Sequence, residues 1–219
     1  MSPLALLGLA AFSFVATHFA MSHPLRAPLV ARLGERGFLL AYTVVALGTF
    51  GWMVWAFGRV PAEPPLWIVG EAAWLVASLL MWLGSILFLG SLRNNPSFPS
   101  AGMRTRMPTP RGVFAITRHP MMWGFALWAL VHAIVAATPA GLILAAAIGF
   151  LALVGATMQD SKKAHLMGEA WAEWRAHTAY VPFARGFANP GMFALVGGTI
   201  LFFAATWAHQ PAGFWRWFG

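Results

Sequence analysis

Six stretches of this chain run for close to or beyond roughly 17 apolar residues, the length at which a helix begins to cross a bilayer. They are read at about Pro3 to Ala20, Phe38 to Phe57, Trp67 to Leu89, Pro120 to Ala137, Gly141 to Met158 and Met192 to Ala208. In lipid every backbone N–H and C=O must find a partner inside the protein, so such runs are expected as helices. Composition closes off a water-soluble alternative. Hydrophobic residues make up 59% of the chain and charged ones 9%, against roughly 45–50% and 25% in a soluble domain. The expectation is an all-α integral membrane bundle of about six transmembrane helices, forming one domain over residues 1–219 with the lipid bilayer as its main partner. The first apolar run lacks the preceding Lys or Arg of a signal peptide, so it is read as a membrane helix.

The polar segments carry further information. The segment DSKKAHLMGEAWAEWRAHT, at about 160–178, places Lys162, His165, Glu169 and Glu173 on one helical face and Met167, Trp171 and Trp174 on another. That pattern predicts an amphipathic helix lying in the cytoplasmic interface, with His165 and Glu169, and Glu173 and His177, at (i, i+4) spacing. With six spans, the segments after the first, third and fifth hold Arg26, Arg32, Arg36, Arg93, Arg104, Arg106, Arg111, Arg118, Lys162, Lys163, Arg175 and Arg185. These are twelve of the fourteen basic residues, and only Arg59 and Arg216 remain for the other side. The positive-inside rule then predicts that these segments face the cytoplasm and that both termini lie on the outer side of the membrane. The net charge of +8 is spread over these flanking loops, so no nucleic-acid partner is inferred. Glu35 and Arg36 read as a surface pair, and Gly84, Ser85 and Gly90 as small surfaces for close helix contact.

The chain has no cysteine and seven histidines, so imidazole is the strong soft-metal or haem-iron donor present in quantity. His18 and His132 stand within or at the end of apolar runs, where an ionisable side chain is costly unless it faces a partner in the bundle. Two neutral imidazoles from facing helices can hold a haem iron between them. The alternative is that each hydrogen-bonds a neighbouring helix. His119, beside Arg118 at the start of the fourth run, suits an anionic cofactor or a haem propionate, or caps the helix. His23 is a further ligand candidate in the first loop, and Arg36 a cofactor-binding candidate. His165, His177 and His209 read as interface residues.

Several ordered motifs carry a resemblance. THFAMSHPLR, LGERGF, NNPSF, RGVFAITRHPMMWGFALWALVHAI and MGEAWAEWRAHTAYVPF resemble the NnrU family of bacterial membrane proteins, which is related to 15-cis-zeta-carotene isomerase. The resemblance implies a membrane haem b protein with His18 and His132 as axial ligands. It implies redox or nitric-oxide- and denitrification-linked chemistry, or cis-trans isomerisation, with an apolar polyene or a small gaseous ligand and a redox or reductase partner. The isomerases carry a cysteine three positions before the second ligand, where this chain has Ala129. A more distant similarity, through RHPMMWG and GEAWAEWR, is to membrane methyltransferases that bind S-adenosylmethionine, here near Arg118 and His119. A non-enzymatic assembly factor for nitrogen-oxide reductases is the third reading.

Helix arithmetic limits the ligand pair. If the first helix ends near Ala20 and the fourth starts near Pro120, His18 lies about 3 Å from its lip and His132 about 18 Å from the same side. A single flat haem needs the fourth helix to begin near Gly112, or the first to continue past Ser22. Otherwise His18 with His119 is the better-matched pair.

Overall fold

The structure, a computed structural model, describes residues 1–97, 107–209 and 213–217. Arg104, Arg106 and Phe218 therefore lie outside the described residues. Helices account for all the regular structure within them: α1 (Pro3–Ser22), α2 (Arg26–Phe57), α3 (Glu71–Ser91), the single turn α4 (Val113–Ile116), α5 (Pro120–Val135), α6 (Pro139–Met167), α7 (Glu169–His177) and α8 (Met192–Trp207), followed by a 3-10 turn at Gly213–Trp217.

Local chemistry sets the helix starts. Ser2 caps α1 by accepting from Ala5 N at 3.2 Å, and Thr138 caps α6 by accepting from Gly141 N at 3.0 Å, each ahead of a proline whose missing N–H costs a first turn nothing. Four helices, α1, α2, α3 and α6, are both long and apolar enough to cross a membrane. α5 and α8 are apolar but have 16 residues each, about 24 Å of helix against roughly 30 Å of hydrocarbon. The chain is an all-α membrane-type bundle.

The helices follow one another as neighbours in the order α2, α1, α6, α5, α3, α8. Glycine makes the tightest crossings. A Cβ on Gly124 would meet the Gly84 carbonyl oxygen at 2.9 Å, and one on Gly198 would meet the Ile86 backbone at 2.5 Å, so α5 and α8 reach α3 through surfaces that admit no side chain. One apolar core joins α1, α2 and α6 around Leu7, Ala10 and Met53; another gathers Leu87, Ile116, Trp171 and Trp174.

Three expectations change. The first loop is helical: α2 begins at Arg26 and bends at Gly34 (φ 69°, ψ 168°), a left-handed φ that favours glycine. Across that bend Glu35 accepts from Arg26 Nη2, at 3.1 Å to each carboxylate oxygen, rather than pairing with Arg36. The continuous interfacial helix at 160–178 does not form. Its first half extends α6 to Met167, Gly168 (φ 51°) breaks the run, and the short α7 buries Trp171 and Trp174 in the core. Amphipathicity shows that a face is apolar, and here protein covers that face instead of lipid. The break also separates His165 from Glu169, and His177 bonds the Glu173 carbonyl instead of its carboxylate (2.9 Å).

Candidate functional site

The histidines divide by what their ring nitrogens do. Thr117, Arg118 and His119 form the extended joint between α4 and α5, and they are buried. Arg118 donates from Nε and Nη2 to Asp160 on α6 at 2.6–3.0 Å, and from Nη1 to the Thr178 carbonyl at 3.3 Å. His119 Nε2 donates to the same carboxylate at 2.8 Å, while its Nδ1 faces Gln159 Oε1 at 3.2 Å. The Thr117 hydroxyl donates to the Tyr180 carbonyl (2.6 Å), as does the Trp123 indole (2.8 Å), and the Arg118 guanidinium lies 5.2 Å from the Tyr180 ring centre. A buried charge pair of this kind stands only when both partners are fully hydrogen-bonded. It ties α5, α6 and the 178–183 segment together, and its polar atoms are spent on the protein itself.

His18 is different. Its Nδ1 bonds the Phe14 carbonyl at 2.7 Å. A carbonyl only accepts, so Nδ1 carries the proton and Nε2 keeps its lone pair. The ring packs edge-on against Phe14 (centroids 4.4 Å) and Tyr42 (5.6 Å), on the wall of a cavity of about 460 Å³ between α1, α2, α5 and α6. Phe50, Phe125 and Leu151 make that cavity mainly apolar, whereas Ser22, His23, Gln159 and Lys162 form its polar end. His23 contributes a buried Nε2 with no hydrogen-bond partner among the described residues. Gln159 belongs both to this cavity and to the His119 network.

His132 lines another cavity, of about 170 Å³, between α3, α5 and α8 at the end of α5 remote from His119. Among the described residues the two cavities share no lining residue. His132 stacks on Trp128 with ring centroids 4.0 Å apart, and its Nδ1 donates to the Trp128 carbonyl at 2.8 Å. The neighbouring imidazole is His209, 6.2 Å away between centroids.

The NnrU protein family matches residues 6–215, nearly the whole chain. This chain belongs to the NnrU family. Neither a curated protein nor a solved structure is found similar to it. In this NnrU chain the expected pair, His18 and His132, is not brought together. α1 ends at Ser22, and the turn that starts early at Val113 is interrupted at Thr117, so neither adjustment that would align their depths occurs. The other pairing, His18 with His119, meets the obstacle that both His119 nitrogens are engaged. His23 joins the His18 cavity, and Arg36 is exposed. Asp160 and the Tyr180 carbonyl had no sequence signal of their own as partners, lying 42 and 63 residues from Arg118 and Thr117 respectively.

Proposed function

We propose that this NnrU-family protein binds haem b in the cavity between α1, α2, α5 and α6, with His18 Nε2 as the iron ligand. One observation carries the reading: an imidazole fixed through Nδ1 to a backbone carbonyl, with its second nitrogen unspent, on the wall of an apolar cavity. That is the arrangement by which proteins orient a histidine toward a metal. The volume falls in the range of about 300–1,000 Å³ usual for small-molecule sites, and aromatic walls suit a porphyrin face. Lys162, His23 and Ser22 at the polar end would take the propionates. Bound there, haem supplies a redox-active iron able to hold a small gaseous ligand.

The chain's own part is to bind and orient. α2, α5 and α6 contribute no imidazole to this cavity, and its other imidazole, His23, sits at the polar end with Ser22 and Lys162, so those three helices offer His18 no second imidazole ligand. That favours a nitric-oxide-linked or sensing role over electron transfer through a doubly ligated iron. Polyene isomerisation by ligand switching has less support, because Ala129 is buried and packs against Gly149, where an added Cβ would lie 3.1 Å from the alanine methyl. The Arg118–Asp160 pairing likewise leaves the guanidinium little to offer S-adenosylmethionine.

The placement of Arg26, Arg118, Lys162 and Lys163 near one end of the bundle supports a cytoplasmic position for that end in the bacterial inner membrane, with the termini on the periplasmic face. Because the chain has no cysteine, single introduced cysteines at Ser2 and at Ala27 are expected to label from opposite sides. The haem reading is tested by expressing the protein with haem supplied and recording its spectrum after purification. A Soret band is expected, and its absence overturns the proposal.

A further inference from the structure

The His132 cavity has a chemistry that the haem reading does not use. His209 Nδ1 donates to the Ala205 carbonyl at 2.6 Å, as His132 Nδ1 does to the Trp128 carbonyl. In the neutral rings both Nε2 atoms are therefore acceptors, and neither has a hydrogen-bond partner among the described residues. Two acceptors cannot satisfy one another. A shared electrophile between them can.

The spacing fits a metal ion. Two imidazole–metal bonds of about 2.0–2.1 Å account for about 4 Å of the 6.2 Å between ring centroids, leaving about 1 Å from each centroid to its nitrogen. The stack on Trp128 and the two carbonyl bonds hold the rings in place, the outer-sphere support that metal-binding histidines have. Charge then selects the ion. No Asp or Glu lines this cavity, and among the described residues no three His, Asp or Glu side chains gather as a metal group. A divalent ion would carry its full charge into an apolar space. The remaining soft donor there is the thioether of Met81, and thioether with imidazole suits monovalent copper.

The geometry points to a monovalent copper site formed by His132 and His209, with Met81 as a third, weaker donor, at the end of the bundle opposite Arg118 and Asp160. The site takes up the ion without any redox step, and it is independent of haem at His18.

The test is competition for Cu⁺ between the purified full-length protein in detergent, under a reductant, and a chromophoric Cu⁺ chelator, with X-ray absorption to read the ligands. The expected result is one Cu⁺ withheld per chain, with nitrogen and sulfur neighbours. Binding is lost in His132→Ala and His209→Ala, weakened in Met81→Leu and intact in His18→Ala. His209 sits at an exposed helix end, so His209→Ala keeps the test decisive if His132→Ala fails to fold. Wild-type protein that withholds no Cu⁺ overturns the inference, as does wild-type-level Cu⁺ binding by the histidine variants or retention of Zn²⁺ in preference to Cu⁺. The Soret band is read on the same samples, so failure here is distinguishable from failure of the haem reading.

Discussion

The joint at Arg118 and His119 and the wall at His18 both place histidine near the same end of the bundle, yet they are built in opposite ways. At the joint, a carboxylate, an amide and two backbone carbonyls consume the polar atoms of three consecutive side chains. At the wall, one backbone carbonyl takes one nitrogen and the other faces an apolar cavity. The first region is a fastening and the second a donor held ready. His119 is buried and His18 half-buried, but the difference that bears on ligand binding is whether the hydrogen-bonding capacity has been used.

Breaking the fastening is expected to have the largest effect on stability. Asp160→Ala leaves Arg118 buried without its counter-ion, and such a loss costs about 3–5 kcal/mol; unfolding in detergent should show it, while a change below about 1 kcal/mol would mean that the pair is not a fastening. Gly124→Leu strikes between the regions, since α5 starts directly after His119 and carries the Met122 and Phe125 walls of the His18 cavity. Forcing a side chain onto the Gly84 carbonyl should destabilise by about 1–3 kcal/mol or more and weaken ligand retention at His18 as well. Thr117→Val removes two hydrogen bonds, the one to the Tyr180 carbonyl, which keeps the Trp123 indole as a donor, and the one accepted from the buried His119 N–H at 3.3 Å. Leaving that N–H unsatisfied is expected to cost about 1–3 kcal/mol, measured in the same unfolding experiment. His18→Ala should cost least, about 1 kcal/mol or below, because it removes a local bond and a half-buried ring.

Much of the bundle is legible in the chain because apolar length is a local property. α1 and α5 begin at Pro3 and Pro120 as read, while α6 begins at Pro139, two residues ahead of the Gly141 expected, because Thr138 caps it. The helical first loop is harder to read, because its bend depends on one backbone angle at Gly34. Trp171 and Trp174 show a different limit: their periodicity marks an apolar face, but whether lipid or protein covers it is decided by helices distant in sequence. The site is legible only in part. His18 and His132 stand out as imidazoles in apolar runs. The partner of Arg118 is 42 residues away on α6, and His209 gains meaning only when α8 packs on α3 and brings it beside His132.

The central claim is that the unspent nitrogen of His18, and not the joint at Arg118 and His119, holds the cofactor. Absorption spectra of haem-supplied wild-type, His18→Ala and His132→Ala proteins, each normalised to folded protein, test it most directly. The account predicts that the Soret band disappears in His18→Ala and persists in His132→Ala. A band that survives the loss of His18, or that vanishes with His132, would contradict it.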